Sequence, residues 1–517
     1  MEPQTELEDY SMQLSSTNRV IINVLAQYGK TITNVLLGLY STRIVLAALG
    51  SSDFGIYSLV GGVIAMLGFM TNALIITTQR FMSYHQGKSD IDKLRTIFSN
   101  SVSMHILFGS CVVAILFIAS LFLFDGYLVI DQERLFAAKC IFSTVTASLF
   151  ITFVTSPFKA LLVSHENIVY VSVIDVLDGI LKVIVAFAIS FCGFDKLIFY
   201  GMLMCCISLF NFIAYFTYSR LRYEESQHIV LFRFDKEYIR SLFSFAFWTS
   251  YSSFCLFIKN QGIAVILNRI YGTAINAAYG IAFNVSSAVQ FVCLSVCNAI
   301  NPQLMKAEGS NNRAKMLRLA ETESKFAFIL MFTICIPCVT EMPLLLRFWL
   351  GNVPEYAVFF CRAVVIAATI DQLTIGIGAA MQAVGRIRKY NTIIYTIKIL
   401  ALPLAIICNI LGFGVTYIMY GFVATEFLSS LLRLFFLMQL TEESIWGFVR
   451  RVILKSILPL LGGFFMAYLS VRYIHSCRFI FTFALSIMAS FSITYIASLE
   501  ENEKNIINRF VQKIIRR

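Results

Sequence analysis

Long apolar runs, one after another, decide what this chain can fold into. A helix needs about 20 apolar residues to cross a hydrocarbon core about 30 Å thick. Runs of that kind fall at roughly 20–46, 54–78, 97–124, 136–163, 170–191, 197–219, 241–267, 273–300, 326–348, 357–384, 391–412, 415–438, 452–474 and 478–497. Strands of a membrane barrel are about half as long and alternate in polarity, so helices are what satisfies this backbone. About fourteen transmembrane helices follow, some long enough to tilt or protrude. Charged residues make up only 14% of the sequence, against about 25% in soluble proteins, too few to cover a water-facing surface.

The net charge of +11 reads as topology rather than as a nucleic-acid surface. If the N-terminus is cytoplasmic, the loops on its side hold Arg80, Lys88, Lys93 and Arg95, then Arg220 to Arg240, Lys306 to Lys325, Arg386 to Lys389, and Arg450 with Arg451. The opposite loops hold little beyond Arg134, Lys196, Arg269 and Arg478. That bias, roughly six to one, places both termini in the cytoplasm and the surplus charge against anionic lipids. The polar, acidic start, Met1 to Asn18, lacks the basic head of a cleaved signal, so the first span is expected to be retained. The thirteen Cys, including Cys335 with Cys338 and Cys293 with Cys297, lie mostly in apolar runs without a His or carboxylate cluster. They read as small packing residues, and no metal or cofactor is expected. Thr441 to Val452 reads as a short amphipathic interfacial piece, and the tail from Glu500 as a surface helix with Ile506, Ile507, Phe510 and Ile514 on one face.

Sliding the chain by 222 residues sets Gly50 on Gly272, Tyr57 on Tyr279, Val63 on Val285, Phe69 on Phe291, Gly87 on Gly309 and Lys93 on Lys315. Together with the matching hydropathy and loop side, this points to a duplication of six helices in parallel orientation, with cargo expected in a central cavity near mid-membrane. The expected organisation is an all-α membrane protein of two six-helix lobes plus a C-terminal helix pair. It comprises a cytoplasmic segment (1–19), an N-lobe (20–219), a cytoplasmic linker (220–240), a C-lobe (241–438), helices thirteen and fourteen (439–497) and a cytoplasmic tail (498–517).

Ionisable groups inside spans are costly and face a cavity or a partner. Lys30 and Arg43, Asp175, Asp178 and Lys182, Lys259, Arg362 and Asp371, Lys398 and Glu426 are such groups. Asp178 and Lys182, at i and i+4, can neutralise each other, or Lys182 serves as a further cationic station. Arg43, Arg347 and Arg433 sit near span ends and can snorkel. Lys30 and Lys259, the latter followed by Asn260 and Gln261, are expected to line the cavity and meet an anionic head group. Asn34, Asn276 and Asn284 supply amides for sugars, or else interhelical packing. Asp371 and Glu426 are the carboxylates for ion coupling, or balance bases such as Lys398.

The stretch Leu39 to Gly61, running on to Gln79-Arg80-Phe81, resembles the first repeat of Wzx-type oligosaccharide flippases of the multidrug/oligosaccharidyl-lipid/polysaccharide exporter superfamily. Asn260-Gln261-Gly262, Asn276-Ala277-Ala278, Gly280-Ile281-Ala282 and Asn301-Pro302-Gln303 resemble its second repeat. Pro354 to Tyr356, Met381 to Gly385 and Lys389-Tyr390 resemble its tenth-helix region, so the likeness runs from about 20 to 440. One departure is Tyr279, where related flippases often carry a basic residue.

The resemblance implies a bacterial inner-membrane flippase, not an enzyme, whose cargo is an undecaprenyl-diphosphate-linked oligosaccharide. It implies that the last two helices form a groove for the lipid tail, and that polysaccharide polymerase machinery takes the product; a monomer is expected. No phosphate-binding loop for ATP is present. Two alternatives share the superfamily: a cation-coupled drug exporter, which predicts a dominantly acidic cavity and no need for a thirteenth and fourteenth helix, and a flippase for peptidoglycan precursors. A membrane-embedded glycosyltransferase or polymerase would want large external loops, and the far-side loops are short.

Overall fold

The computed structural model describes residues 23, 25–38, 40–45, 47–50, 53–54, 56–57, 68–122, 124, 132–232, 236–350, 353–440, 445–474, 477–501 and 503–504. Among them the chain is helical, without strands. The first half holds α1 (Leu25–Gly50), α2 (described over Gly68–Gly87), α3 (Ile91–Phe122), α4 (Leu135–Ser164), α5 (Ile168–Ser190) and α6 (Lys196–Arg222). The second holds α7 (Lys236–Tyr271), α8 (Thr273–Gly309), α9 (Arg313–Thr340), α10 (Met342–Leu350), α11 (Ala357–Gln372), α12 (Ile375–Val384), α13 (Ile387–Ile399), α14 (Ala401–Ile410) and α15 (Val415–Met438). It is followed by α16 (Ile445–Phe448), α17 (Lys455–Tyr473) and α18 (Arg478–Ile493).

Among the described residues, eleven continuous helices are long and apolar enough to cross a membrane, and the bent pair α11–α12 makes twelve. The remaining two of the fourteen expected spans are helical over their described residues. α5 carries Asp175, Asp178 and Lys182 within its 23 residues, and α2 is described only from Gly68. Helix ends differ from the apolar windows where helices protrude: α9 begins at Arg313, not near 326. The piece expected to lie apart at the interface is, from Ile445 on, continuous with span thirteen through a π-helical turn, Val449–Leu454. The apolar face expected on the tail, Ile506 to Ile514, lies outside the described residues.

Chain contacts divide the protein into two compact units, Ile22–Ser250 and the remainder from Tyr251, with the division inside α7. Lipid is as apolar as a core, so helices here associate through close packing of small groups and interhelical polar contacts. In the N-terminal unit, α6 approaches α4 at Gly201, where a Cβ would stand 2.5 Å from Thr144 Oγ1. In the C-terminal unit, α11 is central: Phe360, Val364 and Ala367 pack among Ile263 of α7, Ala282 of α8, Cys338 of α9 and Met419 of α15.

The sequence repeat recurs in the helix ends. Gly50 and Gly272 both take a positive φ, 78° and 84°, where a glycine costs least. α2 and α8 both end on the paired glycines, Gly87 and Gly309. Ser89 and Asn311 both have φ near the left-handed region, 55° and 58°. Asp90 and Asn312 then receive the backbone N–H of Lys93 and Lys315 at 3.1 and 3.0 Å, as paired N-caps. Later the register becomes 219, since α5 begins at 168 and α13 at 387, and α6 at 196 and α15 at 415. The membrane charges do not follow the repeat: Lys259 answers to Leu37 and Lys30 to Ser252 at a shift of 222, and Glu426 to Ile207 and Asp175 to Ile394 at 219. The halves share a scaffold but not its ionisable groups.

Between α11 and α12 the chain bends by 45°. A break at membrane depth frees backbone groups that must find partners, and side chains of α15 and α9 supply them. Arg433 Nη1 donates to the Asp371 carbonyl at 3.0 Å and Ser430 Oγ to the Ile370 carbonyl at 3.3 Å. Ser324 Oγ accepts the Gly376 N–H at 3.0 Å. α9 comes so close there that a Cβ on Gly376 would lie 2.0 Å from the Ala320 carbonyl oxygen.

Helices α17 and α18 pair through Gly463, where a Cβ would meet Ser490 Oγ at 2.1 Å. They and the segments that flank them are tied to α9 at its C-terminal end and again within its first half. Glu341, fully buried at its C-cap, receives Arg478 Nη2 at 3.0 Å and Thr482 Oγ1 at 3.1 Å. Toward its start, Glu321 accepts Arg451 at 2.7 Å, and Lys325 donates to Glu503 at 2.7 Å.

Candidate functional site

A cavity of about 540 Å³ opens within the C-terminal unit, walled by α7, α8, α9, α11, α12, α13 and α15. Its wall carries a continuous chain of five charged side chains. Lys259 Nζ lies 2.5 Å from Glu426 Oε1, and Lys398 Nζ lies 2.7 Å from Glu426 Oε2. The same Lys398 amine reaches Asp371 Oδ1 at 2.6 Å, and Arg433 Nη2 meets that oxygen at 2.8 Å. Lys259 also sits over the Phe422 ring, 4.2 Å from its centroid. Three cations face two carboxylates, so the chain carries one surplus positive charge. Asn260, Gln290, Gln372 and Gln382 add amides to the wall, and Tyr390 and Tyr395 add hydroxyls.

Of the residues singled out from sequence, Lys259, Asn260, Asp371 and Glu426 thus share one wall. Gln261, Asn276 and Asn284 are not on it; Gln261 and Asn284 are exposed. Arg433 corrects the snorkelling expectation: it is 2% exposed, because the helix bend supplies it with both a carboxylate and a free carbonyl. Glu323, also on the wall, was missed because it lies before the apolar window of its span, in the protruding part of α9. The long pairing of Lys259 with Glu426, 167 residues apart, leaves no trace in local spacing.

The N-terminal unit has its own cluster. Asp175 receives Lys30 and Lys159, each at 3.0 Å, and the Tyr215 hydroxyl at 3.2 Å. Asp178 pairs with Lys182 at 2.6 Å and with Asn211 Nδ2 at 2.7 Å. Asn34 Oδ1 is buried without a hydrogen-bond partner among the described residues. Two amines on one carboxylate again leave a surplus cation, here part-exposed. Outside the spans, Arg134 ties Asp53, by its Nε at 2.8 Å, to Asp195, by its Nη1 at 2.7 Å. Partial burial pushes the Asp195 carboxyl up, but hydrogen bonds from Arg134 and from the N–H groups of Ile198 and Leu197 outweigh it and hold the group below its ordinary value.

The family described as polysaccharide biosynthesis protein matches residues 16–308, more than half of the chain. The chain belongs to that family. Among curated proteins none matches it in sequence. Solved structures share the fold of this family member. A transporter of the multidrug/oligosaccharidyl-lipid/polysaccharide (MOP) superfamily from Pyrococcus furiosus superposes with a TM-score of 0.69 at 14% identity, covering 82% of this chain and 96% of its own. A MATE transporter in a bent conformation superposes at 0.72 with 14% identity, covering 82% and 95%. The MATE transporter ClbM in complex with rubidium gives 0.69 at 14%, covering 81% and 94%. This family member thus has the fold of the MOP-superfamily transporters, with the many membrane-length helices of a multi-pass membrane protein.

Proposed function

We propose that this family member flips a lipid-linked oligosaccharide, joined through a diphosphate to undecaprenol, from the cytoplasmic to the periplasmic leaflet of a bacterial inner membrane by alternating access. The observation that carries this reading is the run of three cations bridged by two carboxylates in the cavity of the C-terminal unit, a wall that is net positive when Glu323 is neutral. A diphosphate cannot shed its water into hydrocarbon unaided, and fixed cations and donors replace that water. Lysines suit a passing phosphate because each is a point charge without a rigid fork. Lys259 and Lys398 share Glu426, so an arriving anion can take one amine while the carboxylate keeps the other. The amides of Asn260, Gln290, Gln372 and Gln382 suit sugar hydroxyls. In the N-terminal unit Lys30, with Lys182 and Asn34 nearby on the same bundle, offers a second basic station.

The drug-exporter reading shares the fold, so the fold does not choose; the bases on the wall favour the anionic cargo, since an exporter of cations wants a net acidic wall. The Pyrococcus furiosus transporter is itself described by a binding pocket of reversed polarity that suggests a different function, which supports pocket charge as the discriminating property. An inside-negative potential favours outward movement of an anion by about 2.3 kcal/mol per charge per 100 mV, so ATP is not needed. Both termini then face the cytoplasm, the protein works as a monomer, and a polymerase on the far side receives the product.

Proteoliposomes carrying the full chain and a fluorescent undecaprenyl-diphosphate oligosaccharide test the reading. Outward movement that depends on the protein and on potential is expected, with Lys259→Ala slowing it at least tenfold. No movement of the lipid, together with export of a cationic dye, would replace this reading with the drug-exporter one.

A further inference from the structure

The cavity wall holds a third carboxyl group. Glu323, on α9, is 1% exposed; its Oε2 has no hydrogen-bond partner among the described residues, and the Cys297 thiol of α8 hydrogen-bonds the side chain. Its charged neighbours are committed elsewhere. On α9 itself, Glu321 serves Arg451 and Lys325 serves Glu503. From α8 come the thiols of Cys293 and Cys297, and α12 brings no titratable residue. On α11, Asp371 is held by Lys398 and Arg433, and Arg362 Nε donates to the Val339 carbonyl at 2.8 Å. Lys455 of α17 pairs with Glu500 and Arg478 of α18 with Glu341, while Arg347, Arg450 and Arg472 are exposed. Across the cavity stand the Lys259–Glu426–Lys398 chain and the hydroxyls of Tyr390 and Tyr395.

A carboxylate buried without a cation costs far more than the neutral acid. Asp371 and Glu426, the carboxylates singled out from sequence for ion coupling, are each held by two cations, so Glu323 is the wall carboxyl free to exchange a proton. With Glu323 neutral the wall sums to three cations and two carboxylates, one surplus positive charge; with Glu323 ionised it sums to zero. We propose that Glu323 is a proton-binding site and that its proton is taken up together with the anionic cargo, switching the cavity between an anion-attracting and a neutral state. This rests on reading the cargo as an anion. Linkage is reciprocal: if the proton strengthens anion binding, anion binding strengthens proton uptake by the same factor.

The test uses the full chain in nanodiscs and farnesyl diphosphate as probe. First, an infrared titration without ligand is expected to show a protonated-carboxyl band that Glu323→Gln removes; a band unaffected by that substitution overturns the proposal. Second, probe affinity is expected to rise as pH falls, by up to about tenfold per pH unit for one linked proton. Glu323→Gln is expected to bind tightly and without that pH dependence. Wild-type affinity that is flat with pH, or that follows sodium at fixed pH, overturns the proton switch while leaving the lipid-diphosphate reading intact. A Glu323-dependent band without probe binding at any pH would instead sink the anionic-cargo reading, and with it the coupled uptake proposed here.

Discussion

Neutralising Glu426 and neutralising Lys259 should have very different consequences, although the two touch at 2.5 Å. In the wild-type chain of five groups the sum is +1. Lys259→Met brings it to zero, leaves Glu426 held by Lys398 at 2.7 Å, and removes the cost of burying an amine that is 4% exposed. Replacing a member of a buried ionic cluster by an apolar residue of similar size is often near neutral. A change within about 1 kcal/mol is expected, the lost contact and the relieved desolvation opposing each other. Glu426→Gln takes the sum to +2 and leaves the Lys259 ammonium with the Phe422 ring at 4.2 Å, an interaction worth about 2 kcal/mol at most when desolvated. Breaking a buried pair from one side costs about 3–5 kcal/mol. The double variant leaves Lys398, Asp371 and Arg433 as a self-contained triad and should regain at least half of that loss. Denaturant titration of the purified full chain in mixed micelles, followed by intrinsic fluorescence, measures all three. Equal losses for the two single variants, or a greater loss for Lys259→Met, would refute the surplus-charge account.

Packing and the loop ion pairs lead to further outcomes. Gly376→Ala should cost about 3 kcal/mol or more, beyond ordinary overpacking, because the added carbon meets a backbone oxygen at 2.0 Å; Gly378→Ala meets only the movable Tyr390 hydroxyl at 2.8 Å and should cost less in the same titration. Arg478→Leu strands the fully buried Glu341 with Thr482 alone and should lower stability by about 3–5 kcal/mol, with a second change, Glu341→Gln, restoring part of it. Because Asp195 is held below its ordinary value when folded, its contribution is present above the ordinary carboxylate range and is lost as the pH falls through the depressed value. Melting curves of the wild type should therefore fall on strong acidification, and those of Arg134→Gln should fall less over the same interval.

Helix number, the two-fold repeat and the i, i+4 pair of Asp178 with Lys182 could be read from the chain, because each depends on spacing along one segment. The repeat was legible down to Gly50 and Gly272, since a positive φ restricts the residue type. The charge cluster was only half legible. Lys398 could be matched with nearby carboxylates in kind, but which base meets which acid depends on how α7, α11, α13 and α15 pack, and hydropathy holds nothing of that. Arg433 was misjudged from its place near a span end, because the bend that gives it a carbonyl lies 62 residues away in sequence at Asp371. Glu323 escaped because a protruding helix keeps its polar turn outside any apolar window. Tyr279, where related sequences often have a base, is buried with its hydroxyl unpartnered among the described residues, and the positive charge of this wall comes from α7, α13 and α15 instead.

The two-level fastening of α17 and α18 to α9 has a mechanical corollary. A pair held at one level only could swing like a door; a pair fastened at two levels of the same neighbour can only ride on it. Whatever rotation the C-terminal unit undergoes carries its last two helices along. A prenyl chain resting on them would be towed through the bilayer in step with its head group.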